Sequence, residues 1–383
     1  MRPHETDSII ENRIPHPAIA PRCLVTGGAG FIGSHVVRLL LDRGSEVRVL
    51  DLYPSKGLDP RATFIQGSIL HRELVREAMR GIIHVFHLAA NPNLWAPDKR
   101  SFLTVNYEGT RLVLEEAERA GISRFVHTST ESILKGRRRG CSGSVGEEVR
   151  RTIDDMPGPY CRSKFLAEQA ALAAFQRGLP VVIVNPTLPI GPGDYRVTPP
   201  TQMLMDFIHG ENPAYLDFDM NMIDVRDAAL GHLLAAERGR PGERYILGGE
   251  NLRLSHVLEM LQDLTGFPMP RVRIPYALAL AVATLSEFVA DITRTPPKAS
   301  LTGVRIAGAS MVFDCAKAVH ELGLPRSPVD RALAEGLEWL WAEGRIRRPL
   351  NERRRAFLRS YRQFTAATSS ARSPELGTSG AAA

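Results

Sequence analysis

The sequence predicts an α/β protein: a doubly wound parallel sheet followed by a smaller, mostly helical C-terminal lobe. Three observations carry that expectation. Short apolar runs alternate with segments of helical spacing through the first half of the chain. A glycine-rich turn joins the first run to the first helix, and beyond Pro186 the alternation gives way to prolines and then helices.

The runs are "RCLVTG", "EVRVLD", "ATFIQG", "IIHVFHLAA", "RFVHTST" and "PVVIVNP". Strands that are almost wholly apolar need cover on both faces, which is how parallel strands sit between two layers of helices. Between them, "RELVREAM" and "NYEGTRLVLEEAERAG" repeat apolar residues at helical spacing. Residues 1–20 form a loose extension, and 21–186 one sheet domain. Pro186, Pro189, Pro192, Pro199 and Pro200, with Gly191 and Gly193, then predict a long irregular segment. Helices follow near 224–238, 255–265, 275–291 and 328–343, with a short strand "ERYILGG" after the first, so 187–344 reads as a substrate-binding lobe.

At 383 residues and 44% hydrophobic content the chain can bury a large core. Cys23, Cys141, Cys161 and Cys315 lie far apart with no CxxC pair, which suits reduced thiols in the cytoplasm. The first twenty residues mix acids, bases and prolines and do not resemble a secretory leader. The apolar stretch "IPYALALAVATL" ends at Ser286 and Glu287, too short to span a bilayer, and predicts a helix packed within the protein.

Charge is unevenly placed. From Arg345 onward nine arginines face two glutamates, a net of +7; with the whole chain at +6, residues 1–344 sum to −1. In this 345–383 tail Leu350, Phe357, Leu358, Tyr361 and Phe364 recur near helical spacing, while Arg353, Arg354, Arg355, Arg359 and Arg362 fill intervening positions. Such a basic amphipathic helix suits peripheral contact with the inner face of a membrane, or docking on the protein's own body or a partner subunit. The stretch from residue 365 is expected to be disordered. No nucleic-acid-binding motif accompanies the basic tail. His84 and His87 point to opposite faces of one strand, and neither HxxxH nor HExxH occurs, so no metal site is expected.

Gly27, Gly30 and Gly33 give T-G-x-x-G-x-x-G between the first strand and the first helix. Glycine suits a tight turn, close approach of backbone to a pyrophosphate, and close helix–sheet packing, while the helix N-terminus offers N–H groups to phosphates. The next strand ends at Asp51, where a carboxylate can accept from both adenosine ribose hydroxyls and repel a 2′-phosphate. That favours NAD over NADP; the plainer alternative is a solvated strand end. "YCRSK" then puts Tyr160 and Lys164 one helical turn apart, so the ammonium can lower the phenol's pKa and reach the nicotinamide ribose; a surface helix pair would show the same spacing. "RFVHTST" ends in Thr128, Ser129 and Thr130 at the sheet's carboxyl edge, where Thr130 can bond a substrate oxygen beside Tyr160, or simply cap the next turn.

These residues resemble the extended short-chain dehydrogenase/reductases, the NAD-dependent epimerase/dehydratase family, over roughly residues 22–343. The resemblance rests on "TGGAGFIG", "HLAA", "NYEGT", "YCRSK" and "NPTLPIGPGD". "LWAPD", "NPTLPIGPGDYRVTPP" and "GHLLAAERGRPGERYILGGENL" are further similar to the hopanoid-associated sugar epimerases and the dihydroflavonol 4-reductases. The resemblance implies a Rossmann-type fold, with Tyr160 as general acid/base, Lys164 as its partner and Thr130 as the substrate-polarising hydroxyl. It implies a cofactor site at Gly27, Gly30, Phe31, Ile32, Gly33, Asp51, Ser68, Ile69, Ala89, Ala90, Thr128, Ser129, Tyr160, Lys164 and Pro186. It also implies a homodimer. Ser68 departs from the family, which often has an aspartate there to read the adenine amino group. Arg137 to Arg139 in "KGRRRG" form a solvated run or a phosphate-binding overhang. Loop position nominates Asn91, Trp95, Arg196 and Tyr215 for substrate contact.

The leading expectation is hydride chemistry at a secondary alcohol of a small molecule, a sugar or nucleotide sugar, ending in epimerisation. A net ketone reductase or dehydrogenase, with a flavonoid-like or sterol-like substrate, would use the same three side chains. A non-enzymatic NAD-binding regulator is the third class, disfavoured by the intact Thr130, Tyr160 and Lys164.

Overall fold

The computed structural model describes residues 20–136 and 144–358. Arg137 to Arg139, Cys141, Arg359, Tyr361, Arg362 and Phe364 lie outside the described residues.

Seven strands make one wholly parallel sheet. In spatial order they are Arg244–Leu247, Val181–Pro186, Arg124–Thr128, His84–His87, Cys23–Thr26, Val47–Asp51 and Thr63–Gln66. The first six apolar runs are all here. Period-two alternation splits each strand between two cores. Cys23, Val25, Val47 and Val49 face the helices Phe31–Asp42 and Val225–Arg238, while Leu24, Leu50, Val85 and Phe125 face Arg72–Ala78, Thr110–Ala120 and Pro159–Gln176. The apolar runs of the inner strands are continuous because both faces are covered, while the edge strand Thr63–Gln66 stays exposed at both ends.

The strand "ERYILGG" corrects the expected domain boundary. Arg244–Leu247 pairs in parallel with Val181–Pro186 and so belongs to the main sheet. The helix before it, Val225–Arg238, packs on Phe31–Asp42. The chain therefore leaves the sheet after Pro186, builds part of the lobe, and returns. The lobe has its own three-stranded sheet of Leu188–Ile190, Asp219–Asp224 and Glu250–Arg253. Against it pack the helices Pro199–His209, Leu254–Thr265 and Val329–Ala342, which share a core of Leu204, Ile208, Met220, Met222, Val257, Leu261, Leu333 and Leu337.

One of the alternatives for the tail is seen in its described part, and one further expectation changes. Ile346, Leu350 and Leu358 are buried in that lobe core, and the Arg348 guanidinium lies 3.9 Å from the Phe267 ring centroid. The described part of the tail thus docks on the protein's own body. The helix Tyr276–Thr293, expected to be packed away, buries only Ala279, Ala283, Glu287 and Ala290 and exposes its large apolar side chains.

Candidate active site

Because all seven strands run the same way, their carboxyl ends share one edge. Strand order reverses between Cys23–Thr26 and His84–His87, and such a switch point opens a crevice outside the carboxyl ends. Gly27, Asp51, Ala89, Ala90, Thr130 and Pro186 all lie at or just beyond strand ends on this edge.

The glycine turn is built by contacts that only glycine permits. Gly27 has a φ of 72°, and its N–H donates to the Leu50 carbonyl at 2.9 Å. A Cβ on Gly27 would stand 2.6 Å from the Ala89 nitrogen, and one on Gly33 would stand 2.2 Å from the Gly27 carbonyl oxygen. The helix Phe31–Asp42 starts after Gly30 with no side-chain cap and no acidic residue in its first turn. Its N-terminal amides and positive dipole end are thus left for an anion, and this cradle fits a dinucleotide pyrophosphate.

Asp51 is buried beside the turn. One carboxylate oxygen accepts from the Ala29 N–H at 3.1 Å, and the other accepts from the Leu52 N–H at 2.8 Å and from Arg196 Nη2 at 2.9 Å. Arg196 also donates to the Tyr53 carbonyl at 3.1 Å. Arg196, nominated for substrate, thus reaches from the irregular segment after Pro186 to the Asp51 end of the site, where an adenosine ribose is expected.

At the other end Tyr160 stands beside Thr130. Burial raises the phenol above its ordinary value and the neighbouring Thr130 hydroxyl opposes the rise, so the phenol holds its proton at neutral pH. Thr130 Oγ1 donates to Glu131 Oε2 at 3.1 Å, and its oxygen accepts from the Ser132 N–H at 3.3 Å. Lys164 is buried, and its Nζ donates to the Thr128 carbonyl at 2.6 Å. Burial pulls the ammonium down to about 8, against the opposing charge of Glu168 one turn along the helix. Lys164 is thus held at the end of the same strand that leads into Thr130, one helical turn from Tyr160.

The cation on Lys164 is present below about pH 8 and is lost as pH rises through that value. In the free enzyme, kcat/KM is therefore expected to fall on the alkaline side by about tenfold per pH unit. A pH–rate profile checks this: Lys164→Met should run at a lower rate without that limb, and an unchanged limb would assign it to another group.

Other nominated residues divide. The Asn91 N–H donates to Asn106 Oδ1 at 2.7 Å, and Asn106 Nδ2 donates to the Asn91 carbonyl and to Ser163 Oγ, so the loop after the fourth strand is tied to the Tyr160 helix. Trp95 is buried and donates to Asp291 at 2.8 Å, which makes it a link to the Tyr276–Thr293 helix. Tyr215 sits in the lobe core, its hydroxyl accepting from Arg273. The Thr128 hydroxyl bonds His232 rather than the site, and Ile69 packs into the core with Leu24 and Leu50. Ser68 Oγ accepts from the Leu70 N–H at 3.2 Å in its own turn. Ser129 Oγ is buried with no partner, and Phe31 stands edge-on to His35.

Three groups escaped the sequence reading. Glu168 is fully buried beneath Lys164 and is held by Arg244 and by Asn185 at 3.0 Å. His35 Nε2 bonds the Pro192 carbonyl at 3.0 Å and is pulled down to about 4 by burial, so it ties the first helix to the segment bearing Arg196. Lys135 is buried 3.9 Å from Glu131, next to Thr130. Each joins residues far apart or places a charge inside; "TESILK" and "KFLAE" carried a local hint, each setting a Glu and a Lys one helical turn apart. Among the described residues no three His, Cys, Asp or Glu side chains gather as a metal site.

The model of the NAD dependent epimerase/dehydratase family matches residues 23–248, from the first strand of the main sheet through its seventh. The chain belongs to the NAD-dependent epimerase/dehydratase family. It is 37% identical over 337 residues to a Synechocystis protein named "Putative dihydroflavonol 4-reductase", spanning 86% of this chain and 97% of that one. It is 32% identical to sterol demethylase protein B of Methylococcus capsulatus, over 84% of this chain and 99% of the relative. Among solved structures, the dTDP-glucose 4,6-dehydratase DesIV of Streptomyces venezuelae, with NAD and TYD bound, is 27% identical with a TM-score of 0.68, over 84% of this chain and 97% of DesIV. As a member of this epimerase/dehydratase family the chain is an NAD-dependent enzyme of the short-chain dehydrogenase type, and the matched range contains the glycine cradle, Asp51, Thr130, Tyr160 and Lys164.

Proposed function

We propose that this enzyme is a ketone reductase or secondary-alcohol dehydrogenase acting on an apolar ring substrate. The observation that carries the chemistry is the half-buried Tyr160 phenol beside Thr130 and one helical turn from the buried Lys164, at the carboxyl edge of the sheet. NAD supplies the hydride-carrying carbon. Tyr160 is placed to give its proton to a substrate carbonyl oxygen, which Thr130, anchored on Glu131 and Ser132, helps to position. Lys164, one helical turn along, is the cation available to the developing phenolate, and Glu168 partly offsets the loss of its charge to burial. In the reverse direction the same groups accept the proton of a secondary alcohol.

Substrate class follows from what the arginines do and from the relatives. Arg196, the described arginine nominated for substrate, is committed to Asp51 and does not stand ready for a nucleotide diphosphate. The relatives carry names of a flavonoid reductase and a sterol demethylase protein. The sterol in the name of the second relative makes polycyclic lipid ketones the first compounds to try. A nucleotide-sugar epimerase is the second reading, favoured by the nucleotide held with NAD in DesIV. Unpaired Cys23, Cys161 and Cys315 suit a reducing cytoplasm, and we take the working unit to be a homodimer.

Purified enzyme incubated with NADH and polycyclic ketones should consume NADH in step with alcohol formed. Inversion of a nucleotide sugar with no change in NADH would instead establish the epimerase reading and remove the reductase one.

A further inference from the structure

The helix Tyr276–Thr293 is built inside out. Its inner face is Ala279, Ala283, Glu287 and Ala290, and its outer face carries Leu278, Val282, Leu285, Phe288, Val289 and Ile292, with Leu285, Phe288 and Ile292 exposed by 65%, 64% and 67%. This orientation is pinned. Glu287 accepts from Lys99 Nζ and from the Leu301 N–H, both at 2.9 Å, and Asp291 accepts from Lys99 Nζ at 2.6 Å and Trp95 Nε1 at 2.8 Å. Rotating the apolar stripe inward would break all four bonds and bury nothing polar in their place. Exposed cations flank both ends, Arg271 and Arg273 before the helix and Arg294 and Lys298 after it.

We propose that this face docks on an anionic lipid surface, with the helix lying in the plane of the interface. A contiguous apolar stripe with basic ends is the pattern that partitions between acyl chains and acidic headgroups. The helix has 18 residues, the length that can cross a bilayer, yet its inner-face bonds hold it flat against the body. A second copy of the chain is a poorer occupant. An 18-residue helix is ~27 Å long and ~10 Å across, so the stripe offers about 300 Å², against about 800 Å² from each partner in a stable pair.

Docking there would bring lipid close to the chemistry. The following helix, Leu301–Gly308, packs on this one, and its Thr302 fills the space beside Gly158, the residue that opens the Tyr160 helix. Arg305 donates to the Pro157 carbonyl at 3.2 Å. Only one layer of helix separates the apolar stripe from the start of the catalytic helix. The inference stands on the helix face and is read by sedimentation, so it can fail while the substrate reading holds, and the reverse.

The test is co-sedimentation of the full chain with vesicles of phosphatidylcholine containing phosphatidylglycerol, and with phosphatidylcholine alone. The wild-type chain is expected to pellet with the anionic vesicles, and Leu285→Glu with Phe288→Glu to reduce the bound fraction about tenfold or more. Arg271→Glu with Lys298→Glu should weaken binding to the anionic vesicles only. All four positions are exposed, so thermal unfolding should match the wild type. Equal pelleting of wild type and the double Glu variant would overturn the proposal, because binding would then come from elsewhere in the chain. So would a wild type that ignores vesicles. A wild-type solution mass of two chains that the Leu285/Phe288 variant reduces to one would give the face to a second copy instead.

Discussion

Tyr160→Phe is expected to lower kcat by about 10²–10⁴-fold, the range for loss of a positioned proton donor, while NADH affinity stays within about twofold. The ring itself is held by packing, with Phe102 edge-on at 6.5 Å between centroids, and phenylalanine keeps that contact. Thr130 retains its bonds to Glu131 and Ser132. The fold and the cofactor cradle should therefore survive, and only the proton is removed. Steady-state turnover together with a binding titration separates these outcomes. Turnover equal to wild type would move the acid/base role to another residue.

Gly33→Ala should have the opposite profile: dinucleotide binding fails before chemistry is reached. The new Cβ would lie 2.2 Å from the Gly27 carbonyl oxygen and 2.8 Å from the Gly28 Cα, and both neighbours are backbone that cannot swing aside. The turn must open, at about 1–3 kcal/mol of stability, and the amides that face the pyrophosphate lose their alignment. Gly121→Ala is the matched control. Its φ of 65° also disfavours a side chain, but nothing stands within 4 Å of the added carbon, and it caps a helix away from the glycine turn. It should lose about 1 kcal/mol and keep full affinity for NADH. Equal loss of affinity in both variants would show that general destabilisation, and not the turn, governs binding.

The sheet was legible because its inner strands are buried on both faces and so appear as unbroken apolar runs. The two ends of the site were legible because spacing is local: three glycines at intervals of three, and Tyr160 four residues before Lys164. What connects them was not. The Arg196–Asp51 pair spans 145 positions, and the Asn185 and Arg244 bonds to Glu168 join different strands to one helix. No periodicity announces such contacts.

The Tyr276–Thr293 helix shows the same limit from another side. Its composition marked it as apolar, and burial of the larger side chains is the ordinary outcome for a helix in a protein core. Here alanines at 279, 283 and 290 form the close-packed face and Glu287 lies among them. Small residues on one stripe with a carboxylate between them were the sequence signal for that choice. Lys99, a long way off in the chain, makes the buried carboxylate acceptable. The tail behaved similarly: Leu350 and Leu358 were visible as an apolar stripe, but the core that receives them was not.

The most direct measurement is a titration of purified full-length chain with NADH, followed by intrinsic fluorescence and checked by mass spectrometry of the dinucleotide released on unfolding. A single site running from Gly27 and Asp51 to Tyr160 predicts saturation at one dinucleotide per chain, preserved in Tyr160→Phe and lost in Gly33→Ala. A chain that takes up no dinucleotide, or binds it equally well after Gly33→Ala, would contradict the assignment of this edge of the sheet as the active site.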